Sequence, residues 1–266
     1  MDSTLSTLLE RLADPAISAM KVIRWGSPVP SFGDISRAKI ATLGLNPSNR
    51  EFVDPAGREL SGDARRFHTL NSLGLSCWSR ATSTHQTLIA DSCRAYFCRN
   101  PYDGWFKQLD HIISGTTASY YTKTSIACHL DLIPYATACK WTELTRMQRT
   151  ALLVLAGDTL GHLLNDSPVR VLVLNGRSVV EQFQEIAGVT LDHQAMSEWA
   201  LRRGEDLHVT GYAYKGSVRE LAGVKFRREI LVLGFNHNIQ SSFGVTKNVR
   251  DSIRHWITRA AKAVIA

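Results

Sequence analysis

Apolar residues along the chain follow two rhythms. Short, nearly unbroken apolar runs at 38–45, 124–133, 169–174, 208–214 and 229–235 read as strands. The run at 169–174 is uninterrupted from Val171 onward, the pattern of a strand buried on both faces. Apolar residues at helical spacing mark 4–13, 63–73, 84–97, 104–113, 177–187 and 247–264, and a long helix starts at Thr142 and runs to about Leu164. Glycine and proline at Gly26, Pro28, Pro30 and Gly33 make 24–37 a loop, and Pro47, Pro55, Gly57 and Gly62 do the same for 46–62. The polar stretch 189–207 reads as an insertion, and 1–37 as an N-terminal extension to one domain spanning 1–266. Strands alternating with helices predict an α/β fold with a mainly parallel central sheet. Such sheets bind ligands beyond the carboxyl ends of their strands. That rule gathers Asn46, 131–134, Asn175 and 236–242 on one rim.

Composition narrows the function classes. A hydrophobic content of 44% is enough to build a core without cross-links. The net charge of +7 favours a polyanionic partner. Five cysteines, an odd number with no Cys-x-x-Cys pair, argue against a disulfide framework and against a metal site. Glu10, Arg11 and Asp14 interrupt the N-terminal apolar residues, so no signal peptide is expected, and no run reaches the length of a membrane span. A cytoplasmic protein without a membrane partner is the expectation. The absence of Gly-x-Gly-x-x-Gly, Walker and Gly-x-Ser-x-Gly patterns sets aside nicotinamide, ATP and serine-hydrolase chemistry.

Four segments place polar side chains just after apolar strands: Gly44–Leu45–Asn46–Pro47–Ser48, His129–Leu130–Asp131–Leu132–Ile133–Pro134, Val173–Leu174–Asn175–Gly176–Arg177, and Gly234–Phe235–Asn236–His237–Asn238–Ile239–Gln240–Ser241–Ser242. Pro47 fixes its own φ and keeps Asn46 out of helix, and Gly44 lets the backbone approach a ligand. In the order and character of these segments, roughly over 38–260, the chain resembles the uracil-DNA glycosylase superfamily. The resemblance implies a three-layer α/β/α sandwich and a monomeric, monofunctional DNA glycosylase acting on double-stranded DNA without metal or organic cofactor.

On that resemblance Asn46 holds the attacking water. His237 stabilises the departing base, Asn236 lies beside it, and Ser241, Ser242 and Phe243 touch phosphates and wedge the duplex. Two departures from the family pattern bear on the substrate. Ser48 stands where uracil enzymes carry a tyrosine that blocks the 5-position. Asp131 stands where they carry an asparagine, and an ionised Asp only accepts hydrogen bonds, which suits the cytosine amine and not O4 of uracil. The expectation is a cytosine carrying a 5-substituent, such as glucosylated hydroxymethylcytosine of phage DNA, removed in antiviral defence. The alternatives are a uracil or thymine mismatch repair glycosylase, a module that binds modified DNA without turnover, and a hydrolase of small nucleosides.

Three further groups join the candidates. Tyr102, Trp105 and Phe106, in a dense aromatic turn, are placed to stack on an extruded base, or else to pack in the core. Lys247, Arg250 and Arg254 share a face of the last helix and are placed to track phosphates, as are Arg58, Arg65 and Arg66 near the loop after Asn46. Asp103 offers a helix cap or a second carboxylate.

Overall fold

The computed structural model describes residues 2–99, 103–124, 126–203, 207–240 and 244–265. In chain order its elements are α1 (Asp2–Ala13), β1 (Ile40–Gly44), α2 (Ser83–Arg94), α3 (Tyr96–Arg99), α4 (Asp103–Ile113), β2 (Ala127–Asp131), α5 (Arg146–Asn165), β3 (Val171–Asn175), α6 (Arg177–Ala187), β4 (Asp192–Arg203), β5 (Leu207–Leu221), β6 (Val224–Phe235) and α7 (Lys247–Ile265).

Six strands form one mixed sheet in the order β2-β1-β3-β6-β5-β4. The pairs β2–β1, β1–β3 and β3–β6 are parallel, whereas β6–β5 and β5–β4 are antiparallel. The expected mainly parallel sheet is thus corrected to a parallel half extended by an antiparallel meander. The stretch 189–207, expected as an insertion, supplies the edge strand β4. The helix expected at 63–73 is replaced by one-turn 3-10 segments at Gly62–Ala64 and Asn71–Leu73. The long helix starts at Arg146 rather than Thr142, because Thr145 caps it: its hydroxyl accepts from the Gln148 amide at 3.2 Å and Gln148 reaches back to Thr145.

Helices cover both faces. Ala41, Leu43, Cys128, Leu130, Leu172 and Leu174 pack in one apolar core with residues of α1, α5 and α6. The alternate residues, Ile40, Ala127, Val171, Val173 and Leu233, pack in a second core with α3, α4 and α7. On this second face the strands turn polar toward their carboxyl ends. Thr42, His129 and Asp131 are buried there beneath the aromatic cluster of Phe32, Tyr96, Phe106 and Tyr120. The outer edge of β2 is covered at His129, which exchanges two backbone hydrogen bonds with Phe32 at 2.8 and 2.9 Å. Among the described residues no helix is long and apolar enough to cross a membrane.

Candidate active site

The parallel strands end level with one another. Gly44 is opposite Asp131, and Leu43 is opposite Leu174, so Asn175 is next in line with Gly44; Asn175 in turn pairs with Phe235. Asp131 and Asn175 therefore flank Gly44 on the second face, each one strand, about 4.8 Å, away. Gly44 is required there: a Cβ would lie 2.3 Å from Asp131 Oδ1 and 2.9 Å from His129 Nε2. The Asp131 carboxylate leans over the glycine floor. Gly44→Ala is expected to displace it and to lower stability by about 1–2 kcal/mol, as measured by urea unfolding.

A buried chain of hydroxyls and imidazole leads up to that side chain. Tyr120 Oη lies 2.5 Å from Thr42 Oγ1, Thr42 Oγ1 lies 2.7 Å from His129 Nδ1, and His129 Nε2 lies 3.4 Å from Asp131 Oδ1. Burial raises the Tyr120 hydroxyl well above its usual range, so it remains a donor. The direction that follows is Tyr120 to Thr42 and Thr42 to His129 Nδ1, which leaves the ring proton on Nε2, on the side of Asp131. The reverse direction leaves two lone pairs facing each other unless another proton is added. His129 Nε2 thus faces one oxygen of Asp131 across an ion-pair distance. His129 went unnoticed in the sequence, although its i+2 spacing to Asp131 puts both on one face of a strand.

Asn46, two residues beyond β1, is also held in one orientation. Its Nδ2 donates to Thr137 Oγ1 at 3.0 Å, Pro47 O at 3.2 Å and Tyr135 O at 3.4 Å. Thr137 Oγ1 spends its own proton on Cys139 O at 2.7 Å, so all three neighbours are acceptors and the amide nitrogen must face them. Oδ1 is left as the group able to accept from a water molecule.

The other predicted residues divide. Ser48 is exposed and caps the turn Asn49–Glu51, accepting from the Arg50 amide at 3.2 Å. Phe106 is 2% exposed and packs edge-on to His129 with centroids 5.3 Å apart, so it belongs to the wall of the core. Trp105, the second of the expected stacking residues, is half-buried with its ring 5.4 Å from that of His129. Asn236 spends its amide on β5, accepting from Tyr212 N and donating to Thr210 O, both at 2.8 Å. His237 lies on the same rim, two residues past β6, but its buried ring donates Nε2–H to Trp199 O at 2.6 Å. The His237 ring is tied to β4, and the Asn46 amide to the loop after β2. Lys247 is exposed at the start of α7. Arg250 donates to Gln108 Oε1 at 2.5 Å. Arg58 is an exposed partner of Asp54 at 2.8 Å. Tyr102, Ser241, Ser242 and Phe243, together with the side chain of Asp103, lie outside the described residues.

Two features escaped the sequence. Glu51 is 3% exposed; its Oε2 accepts from Tyr96 Oη at 2.9 Å and lies 3.6 Å from Arg66 NH1. Burial pushes its carboxyl from 4.5 up to about 7, against the pull of Arg66 and Tyr96, and the field of Asp131 adds to the rise. The second is a cleft of about 320 Å³ at the same rim, lined by Gly104, Trp105, Gln108, Ile239, Gln240 and Arg250. A hollow of about 470 Å³ between the end of α6 and the β5–β6 turn lies at the opposite end of the sheet, away from these groups. Basic side chains flank the rim: Arg50 follows Ser48, and burial with Arg65 and Arg99 nearby drives His68 down to about 4.

No protein-family model and no curated protein sequence matches the chain.

Proposed function

We propose that the chain is a DNA glycosylase that draws a 5-substituted cytosine, such as glucosylated hydroxymethylcytosine of phage DNA, out of the duplex and hydrolyses its N-glycosidic bond in antiviral defence. The observation that carries this reading is the buried Asp131 side chain, which lies beside His129 over the bare Gly44 floor and offers oxygen acceptors there. An acceptor there meets the exocyclic amine of cytosine and repels O4 of uracil. The exposed Ser48 leaves the approach free of a bulky side chain. In the reaction the C1′–N bond breaks with its electron pair passing to the base. Water, accepted by Asn46 Oδ1, adds through oxygen to C1′; one of its protons goes to the base and the other stays on the new hydroxyl. The product is an abasic site. The basic groups around the rim and on α7 suit a phosphate backbone.

A module that binds modified DNA without turnover is the second reading. It is favoured by the His237 ring, whose Nε2 is committed to the Trp199 carbonyl and not offered to a leaving group. One experiment separates the two. The protein is incubated with duplexes carrying cytosine, 5-hydroxymethylcytosine, its glucosylated form or uracil, then treated with hot alkali, and breaks are counted. Breaks at a modified cytosine support the enzyme, and Asn46→Ala is expected to lower them about a hundredfold while duplex binding changes little. Tight, modification-dependent binding without breaks supports the module. Breaks at uracil alone overturn the substrate assignment.

A further inference from the structure

The end of β3 holds an amide pair that its own structure leaves half-satisfied. Asn175 Nδ2 donates to Gln240 Oε1 at 3.2 Å, while Asn175 Oδ1 and Gln240 Nε2 are both sealed from solvent without a hydrogen-bond partner. The surrounding backbone does not need them. Gly176 N donates to Phe235 O at 3.1 Å and Arg177 N to Asn236 O at 3.2 Å. Gly176, at φ +95°, turns the chain into α6 without side-chain help. A buried polar atom without a partner is destabilising, and two apolar side chains of similar shape would serve the fold better. Gln240 is also a wall of the 320 Å³ cleft, alongside Trp105. Rotation of both amides toward the cleft offers the free donor of Gln240 and the free acceptor of Asn175 to a ligand.

We infer that Asn175 and Gln240 form a reading pair for the edge of a heterocyclic base, one that presents a hydrogen-bond donor next to an acceptor. The pattern does not depend on which amide atom is oxygen. Exchanging O and N in both side chains keeps their mutual bond and still leaves one donor and one acceptor free. Trp105 supplies a flat face for the ring and separates the cleft from His129. Together the free donor and acceptor of the pair describe a pyrimidine with an amino group beside a ring nitrogen. The inference rests on the proposed reading for the DNA that would deliver such a base, but not for the recognition itself.

The test therefore uses free nucleosides. Binding of 2′-deoxycytidine and of N4,N4-dimethyl-2′-deoxycytidine, which lacks the donor, is measured by saturation-transfer NMR, with thermal unfolding in parallel. Wild type is expected to favour deoxycytidine by about tenfold, the worth of one hydrogen bond. Asn175→Leu combined with Gln240→Met is expected to abolish the preference while leaving the midpoint unchanged or raising it, because both partners are replaced together. Gln240→Met alone, at a half-exposed position, repeats the test of the preference where the double variant does not fold. Equal binding of both nucleosides by wild type, no binding of either, or a preference that survives both substitutions overturns the inference. So does a lowered midpoint with the preference intact, which marks a purely structural pair. Discrimination by a protein that makes no abasic sites sinks the glycosylase reading and leaves this one standing.

Discussion

Asp131→Asn is expected to reverse the base preference, lowering release of 5-substituted cytosine relative to the matching 5-substituted uracil by about a thousandfold. The reason lies in the buried chain beneath Gly44. His129 Nε2 carries a proton, because Thr42 donates to Nδ1, and it faces Asp131 Oδ1 at 3.4 Å. An asparagine at 131 must give its oxygen to that proton, so its NH₂ turns to the cavity. The contact then donates where it used to accept. An amine on the base meets a donor and is left without a partner, while a carbonyl is satisfied. Sites built around a specific hydrogen bond reject the mismatched analogue by factors of this size and larger. The substitution keeps the side-chain volume, so the unfolding midpoint should stay within a few degrees. The measurement is the ratio of abasic sites formed in duplexes with 5-hydroxymethylcytosine and 5-hydroxymethyluracil opposite guanine. An unchanged ratio means that Asp131 holds up the loop after β2 and reads nothing.

The parallel half of the sheet was legible because its strands are short, mostly apolar runs that are buried on both faces. Gly44, Asp131 and Asn175 fall at one level. The antiparallel half was not. Strand β4 lies at the sheet edge, and within it only Met196, Trp199 and Leu201 are buried hydrophobics among the described side chains. A bulge between Met196 and Leu201 breaks the alternation that would have marked it as a strand. The false helix at 63–73 has another cause. Its apolar spacing is real, but Thr69 and Ser72 cap each other's amides at 2.8 and 3.0 Å, and these local bonds compete with the helical ladder. At the site, short motifs located Asn46 and Asp131 but not the direction in which a side chain turns. His237 and Asn236 lie on the expected rim, and both spend their polar atoms on β4 and β5. Nothing in the pattern around Glu51 marks it as buried; it becomes so through Phe52, Phe67 and Tyr96, which come together only in the fold.

Glu51→Gln is expected to stabilise the protein by up to about 3 kcal/mol at pH 8 and to leave it unchanged near pH 4, by the linkage between proton binding and folding. The folded protein holds this carboxyl at about 7, against 4.5 for the free side chain, with burial as the main cause. Between those values the native state keeps a proton that the unfolded chain has released. Stability therefore falls as pH rises through that window and levels off above about 7. Glutamine mimics the protonated form: it still accepts from Tyr96 Oη, and it has no charge to bury. Urea unfolding of both proteins at pH 4, 5, 6, 7 and 8 gives the comparison directly. The difference should open steadily between pH 5 and 7, whereas a gap of constant size would assign the effect to altered packing. The wild-type protein bears this cost beside Asp131, with Arg66 only 3.6 Å from Glu51 to offset it. Two carboxylates at one rim favour a ligand edge rich in donors, in keeping with an amino-bearing base. The same variant is therefore expected to bind deoxycytidine more weakly at pH 8 than wild type, despite being the more stable of the two.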